Sequence, residues 1–126
     1  MKYCIVILVL FTLVSCKTEY KSAAVKSSYE SVMKIHDDVM PEMSTINKLR
    51  RKIKKVSDDS NVKTELIKQL ENANDGMMQW MSDFDFDENA SETAQLEYLA
   101  DQKIIIQRVS DDMKGSISSA QDYLKE

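Results

Sequence analysis

Residues 25–56 read VKSSYESVMKIHDDVMPEMSTINKLRRKIKKV, and their spacing decides the fold class. Positions 25, 29, 32/33, 36, 39/40, 43, 46, 49, 53 and 56 form the three-and-four repeat of one helical face. A long amphipathic helix ending near Val56 is predicted. Pro41 interrupts it, because proline lacks an N–H and its ring clashes with the carbonyl of Asp37, so a kink is expected there. The alternative is a break with Pro41 at a first helical position, which makes residues 25–38 a separate helix and the arrangement four-helical.

Reading outward, Ser57-Asp58-Asp59-Ser60-Asn61 is the most turn-like run of the chain and offers helix caps. A second helix is predicted from near Val62 to near Ser82. Its apolar face is Val62, Leu66, Leu70, Ala73, Met77 and Trp80/Met81, with Gly76 costing about 1 kcal/mol relative to Ala. After Asp83–Asn89, Asn89 or Ser91 can cap a third helix carrying Leu96, Leu99, Ile106, Val109, Met113, Ile117, Ala120 and Leu124. Short connections make neighbours antiparallel, so the expected architecture is an all-α, up-down-up three-helix bundle with long coiled-coil-like helices, the first kinked at Pro41. That register sets His36 level with Met81 and Met40 level with Met77. It also predicts an overhang of the third helix, with Met113, Ile117, Ala120 and Leu124 in need of a curled end or a second copy.

Composition agrees. The 126 residues amount to one domain, and two Gly with one Pro cannot supply the turns of a many-stranded sheet. The formal charge of -4 comes from mixed signs and gives no global basic footprint for nucleic acid.

The amino-terminal stretch reads as an address. Lys2 precedes an apolar run from Cys4 to Val14, broken by Thr12, which is too short to cross a hydrocarbon layer about 30 Å thick but suits an export signal. The run closes on Leu13-Val14-Ser15-Cys16, which resembles the bacterial lipobox. That resemblance implies a diacylglycerol thioether on Cys16, cleavage before it and acylation of the new amino group. The expected division is 1–15 cleaved signal, 16–24 lipidated Cys and tether, and 25–126 helical bundle. Each buried methylene adds about 0.8 kcal/mol, so two or three chains anchor durably. With Cys4 discarded and Cys16 consumed, the mature chain has no cysteine left for a disulfide. Removing Lys2 leaves 16 basic against 21 acidic residues, a net -5, which disfavours unaided adhesion to anionic lipid.

The densest chemical signal is His36-Asp37-Asp38-Val39-Met40-Pro41-Glu42-Met43 with Met77-Met78-Gln79-Trp80-Met81. Thioethers and one imidazole are soft ligands suited to Cu(I), and a Trp face can stabilise a cation. His36, Met40, Met43, Met77 and Met81 are the candidate copper ligands. The competing account is packing, in which flexible Met side chains fill irregular space around a proline and Trp80 closes the layer; it is preferred, so no cofactor is expected. Lys48, Arg50, Arg51, Lys52, Lys54 and Lys55 put six bases in eight residues, read as complements to a helix carboxyl end that pair with solvent or with Asp58 and Asp59. Asp83, Asp85 and Asp87 open like a calcium loop, but Glu88 stands where glycine is required and Ala94 where glutamate is; Phe84 and Phe86 should pin this turn to the bundle. Asp37 and Asp38 point about 100° apart on a helix and do not converge. No nucleophile–base pair or phosphate cradle is legible, and no enzyme is expected.

His36–Met43 followed by Ile46-Asn47-Lys48-Leu49, then Met77–Phe84, resembles small Bacteroidetes lipoproteins often labelled "viral A-type inclusion protein", over about residues 30–86. The resemblance implies a helical, membrane-tethered protein, and the label itself carries no function. The expected role is therefore a lipid-anchored envelope protein, on an outer membrane, acting through a homodimer or an envelope protein partner and without nucleic acid. The alternative is a Cu(I)-binding chaperone or sensor.

Overall fold

The computed structural model of the chain describes residues 19–125. The signal segment and the lipidated Cys16 expected from the sequence lie outside the described residues. Those described are all-α: α1 (Ala23–Val39), α2 (Glu42–Lys55), α3 (Asn61–Asp83) and α4 (Glu92–Leu124). Three starts carry the same serine cap, as Ser22, Ser60 and Ser91 accept through Oγ from the backbone N–H groups of Val25, Lys63 and Ala94. Each cap satisfies one of the orphan donors of a first turn.

The predicted first helix is two elements. Met40 and Pro41 both keep right-handed helical dihedrals, at φ/ψ of -53/-40° and -61/-24°. What fails is the ladder. Met40 still donates to the His36 carbonyl at 2.8 Å, whereas Met43 and Ser44 reach only three residues back, to Met40 and Pro41 at 3.2 Å each. The missing proline N–H is what interrupts the spacing.

The core keeps one phase across that interruption. Val25, Val32, Val39, Ile46 and Ile53 are all fully buried at seven-residue intervals. On α4, Leu99, Ile106, Met113 and Ala120 repeat the interval, and on α3 Leu66, Leu70, Ala73, Met77 and Trp80 alternate steps of four and three. Side chains at this period return to one seam of each helix, which is how α1 to α4 share one narrow core. α4 packs against α1, α2 and α3, and α2 also packs against α3.

The expected overhang is overturned. Met113 and Ala120 are fully buried and Ile117 nearly so. At about 1.5 Å per residue, α4 with its 33 residues matches the length of α1 and α2 laid end to end. α3 is the short rod, with 23 residues. Where it stops, Phe84 and Phe86 of the connection continue the packing. One predicted face residue, Val62, stands exposed in the first turn of α3 instead of in the core.

Candidate functional site

His36 lies near the end of α1, and its ring stacks on Trp80 of α3 with centroids 5.4 Å apart. The Asp37 carboxylate accepts from His36 Nδ1 at 2.9 Å, which leaves Nε2 as the ring's other nitrogen. The indole Nε1 of Trp80 donates to Gln102 Oε1 at 2.9 Å, so the level that begins on α1 ends on α4. The expected level thus joins His36 to the residue beside Met81. The thioethers do not share one environment: Met77 is fully buried, Met40 is exposed, and Met43 and Met81 are half-buried against the core.

From Trp80 a run of aromatic rings extends to the amino-terminal end. Phe84 sits 4.9 Å from Trp80, Tyr29 lies 5.2 Å from Phe86, and Tyr20 lies 5.4 Å from Tyr29. Tyr98 joins from α4, 5.8 Å from Phe84, and its hydroxyl accepts from the Asp85 backbone N–H at 2.7 Å. Phe84 and Phe86 therefore pin the α3–α4 connection, as expected from the sequence. Such rings bury large apolar area in preferred tilted geometries. Burial pushes the Tyr20 phenol up from its ordinary pKa, with the neighbouring Tyr29, Glu30 and Glu88 acting in the same direction.

Tyr20 and Lys21, in the segment expected to be a tether, are docked. Lys21 Nζ donates to the Asn89 carbonyl at 3.0 Å and to the Ala90 carbonyl, while Tyr20 packs on Tyr29. The chain is thus fastened to the α3–α4 connection before α1 begins.

Sequence reading missed a polar seam on α4. Gln95, Gln102 and Tyr123 are spaced by seven and three times seven residues, and each makes a specific bond. Gln95 Nε2 donates to the Asp87 carbonyl at 2.9 Å, Gln102 accepts from Trp80, and Tyr123 donates to Asp58 Oδ2 at 2.6 Å. Hydrophobic periodicity cannot find these residues, since they are polar. The signal available was their shared heptad phase, three or four residues from the Leu99 seam and so about 40–60° around the helix from it.

The basic run lies at the carboxyl end of α2, as expected, and two of its members find a partner other than Asp58 or Asp59. Arg50 and Lys54 both reach Glu71 on α3, at 3.5 Å each. The Asp58 carboxylate is taken by Ser60 and Tyr123, and Lys63 Nζ donates to the Val56 carbonyl at 2.7 Å, covering the end of α2. Exposed pairs of this kind are worth under about 1 kcal/mol each and serve mainly to align α2 with α3.

Among the described residues, no group of three or more His, Cys, Asp or Glu side chains could hold a metal ion, and no helix is long and apolar enough to cross a membrane. No protein-family model, curated protein or solved structure matches the chain.

Proposed function

We propose that this protein is a lipid-anchored helical protein of the cell envelope, held to the outer membrane through Cys16, that works through contacts with other proteins and performs no catalysis. The observation that supports contact is a band of exposed apolar side chains. Met78 is 52% exposed, Ile104 62% and Ile105 42%. Met78 and Ile104 each lie two residues from the Trp80–Gln102 bond, which puts them at one level of the bundle. Large apolar side chains left in water gain on being covered, which favours a partner at this level. The resemblance to small Bacteroidetes lipoproteins points the same way.

In this reading the chain runs up, down and up. Support comes from contact order: from His36–Trp80 to Arg50–Glu71 the first partner advances while the second retreats, and Trp80–Gln102 and Asp58–Tyr123 behave alike. Pro41 turns the axis between α1 and α2, a bend favoured by the bonds around it that span three residues instead of four. Crosslinking in intact envelopes tests the role. A crosslinked species that is lost in Met78→Lys and Ile104→Lys is expected, and a strict monomer without adducts would reject it. Mass spectrometry of the native polypeptide tests the anchor, with residues 1–15 absent and an acyl adduct on Cys16 as the expected result.

The second reading is a Cu(I) chaperone or sensor using His36, Met40, Met43, Met77 and Met81. Its supporting observation is His36, oriented by Asp37 and Trp80 with Nε2 uncommitted to Asp37. Competition against a Cu(I) chelator decides it. Affinity unchanged in His36→Ala and Met40→Ala discards copper.

A further inference from the structure

The solvent ridge of α4 carries a patch that is its own complement. Ile104 is 62% exposed and Ile105 42%, side by side on a helix whose buried seam, Leu99, Ile106 and Met113, runs along the other side. At about 100° per residue, the line midway between the two isoleucines has Asp101 and Arg108 within about 10° of it. Asp101 precedes Ile104 by three positions and Arg108 follows Ile105 by three, so they stand about 5 Å from the midpoint along the axis, one on each side. Both are exposed, and neither has a hydrogen bond or ion pair within the described residues. An unpaired acid and an unpaired base at equal distances from an apolar pair suit a two-fold contact, which brings each position against the one equally far on the other side of the midpoint.

The charges fix the direction of such a contact. Antiparallel packing on a two-fold axis through the midpoint sets Ile104 on Ile104 and Ile105 on Ile105, and lays each Asp101 opposite the Arg108 of the other copy. Glu97 and Asp112 then meet at one height but lie about 30° to opposite sides of the midline, so these like charges fall on opposite edges of the contact. Parallel packing would set Asp101 on Asp101 and Arg108 on Arg108. It would also bring together two α3–α4 connections, each with five carboxylates from Asp83 to Glu92 and no basic residue, and like charges so placed repel. We propose that this face of α4 is the contact surface for a second copy of the chain, joined antiparallel about the point between Ile104 and Ile105. The proposal rests on the reading that this band makes protein contacts and names the partner; it uses described residues alone. Covering two isoleucines in each copy is a small gain, so the pair is weak, and a disulfide across it serves to trap it.

The test is air oxidation of cysteine variants of the full chain purified in mild detergent, with linked peptides identified by mass spectrometry and the parent chain, which holds Cys4 and Cys16, as control. Ile104→Cys should link to its own copy. Gly115→Cys, on the same ridge and with nothing within 4 Å of its added Cβ, should link at least about fivefold more slowly. The antiparallel pair holds the two 115 positions about 30 Å apart, and a disulfide needs Cα atoms within about 7 Å. Adding Asp101→Arg to Ile104→Cys should slow linking about fivefold, and adding Arg108→Asp as well should restore it. Equal linking at 104 and 115, or slow linking that the double reversal fails to restore, overturns the proposal. So does a purified Ile104→Cys chain that never links. If crosslinks sensitive to Met78→Lys are still found in envelopes, the partner is another protein and the contact reading stands; if they are absent too, that reading falls with the proposal.

Discussion

Tyr123 Oη donates to Asp58 Oδ2 at 2.6 Å across 65 residues of sequence, tying the last turn of α4 to the connection between α2 and α3. Asp58 Oδ2 also accepts from Ser60 Oγ at 2.8 Å, and its Oδ1 accepts from the Ser60 backbone N–H at 2.9 Å. One carboxylate thus shapes the turn, steadies the serine that caps α3 and holds the far end of the chain.

The pH dependence of stability follows from this pair. The Tyr123 hydroxyl, followed by the Ser60 donors, holds the Asp58 carboxyl below its ordinary range, so its contribution is present above about pH 4 and is lost as pH falls through the folded value. The same bond pushes the Tyr123 phenol up, so its contribution is present below about pH 10 and is lost as pH rises through the folded value. Stability should be level between these limits and fall on both sides. Urea unfolding of Tyr123→Phe should be weaker at neutral pH and show shallower losses on both wings; wings as steep as in the parent would contradict the pairing.

Two isoleucines two positions apart on α4 should respond in opposite ways. Ile106 is fully buried on the core seam, and its replacement by Ala should cost about 2–5 kcal/mol. Ile104 faces solvent, and Ile104→Ala should stay within about 0.5 kcal/mol in unfolding. Crosslinking, by contrast, should weaken in Ile104→Ala and not in a folded Ile106→Val.

Gly76 and Gly115 sit inside α3 and α4, and a Cβ added at either meets nothing within 4 Å. Each replacement by Ala removes backbone freedom from the unfolded chain at no steric cost in the folded one, so each should stabilise by about 0.5–1 kcal/mol. They lie on different helices, and the double variant should show near-additive gains in denaturant midpoint.

The α4 cap gives a fourth stability test. Ser91 Oγ accepts from the Ala94 N–H at 3.2 Å, and Ser91→Ala should cost about 1 kcal/mol. Ser91→Asp should recover most of it, because a carboxylate both accepts that bond and faces the positive end of the helix. Hydrogen exchange at Ala94 and Gln95 measures the effect locally.

Much of the core was legible from spacing alone. Val25, Val32, Val39, Ile46, Leu49 and Ile53 were on the predicted stripe and are buried, as are Leu66 to Trp80 on α3. Val62 stands exposed because the alternating steps of four and three on α3 run back from Leu66 to position 63, which leaves Val62 off the seam. The overhang is not realised because α4 lies along α1 and α2 together, over the whole length of the first predicted helix, and not along the shorter α3 alone. Gln95 and Tyr123 were invisible, since polarity marks a residue as exposed unless its partner is known, and both partners lie in connections.

The sequence by itself determined that the described chain is helical, where its turns fall, and which stripes are buried, because these depend on periods of three to seven residues and on local capping chemistry. Only the tertiary structure decided that Glu71 receives Arg50 and Lys54, that Lys21 clasps the α3–α4 connection, and that Gln95 Oε1 faces no partner. Such contacts join residues brought together by the mutual rotation of packed helices, and that rotation is set by how all the seams fill a common core at once.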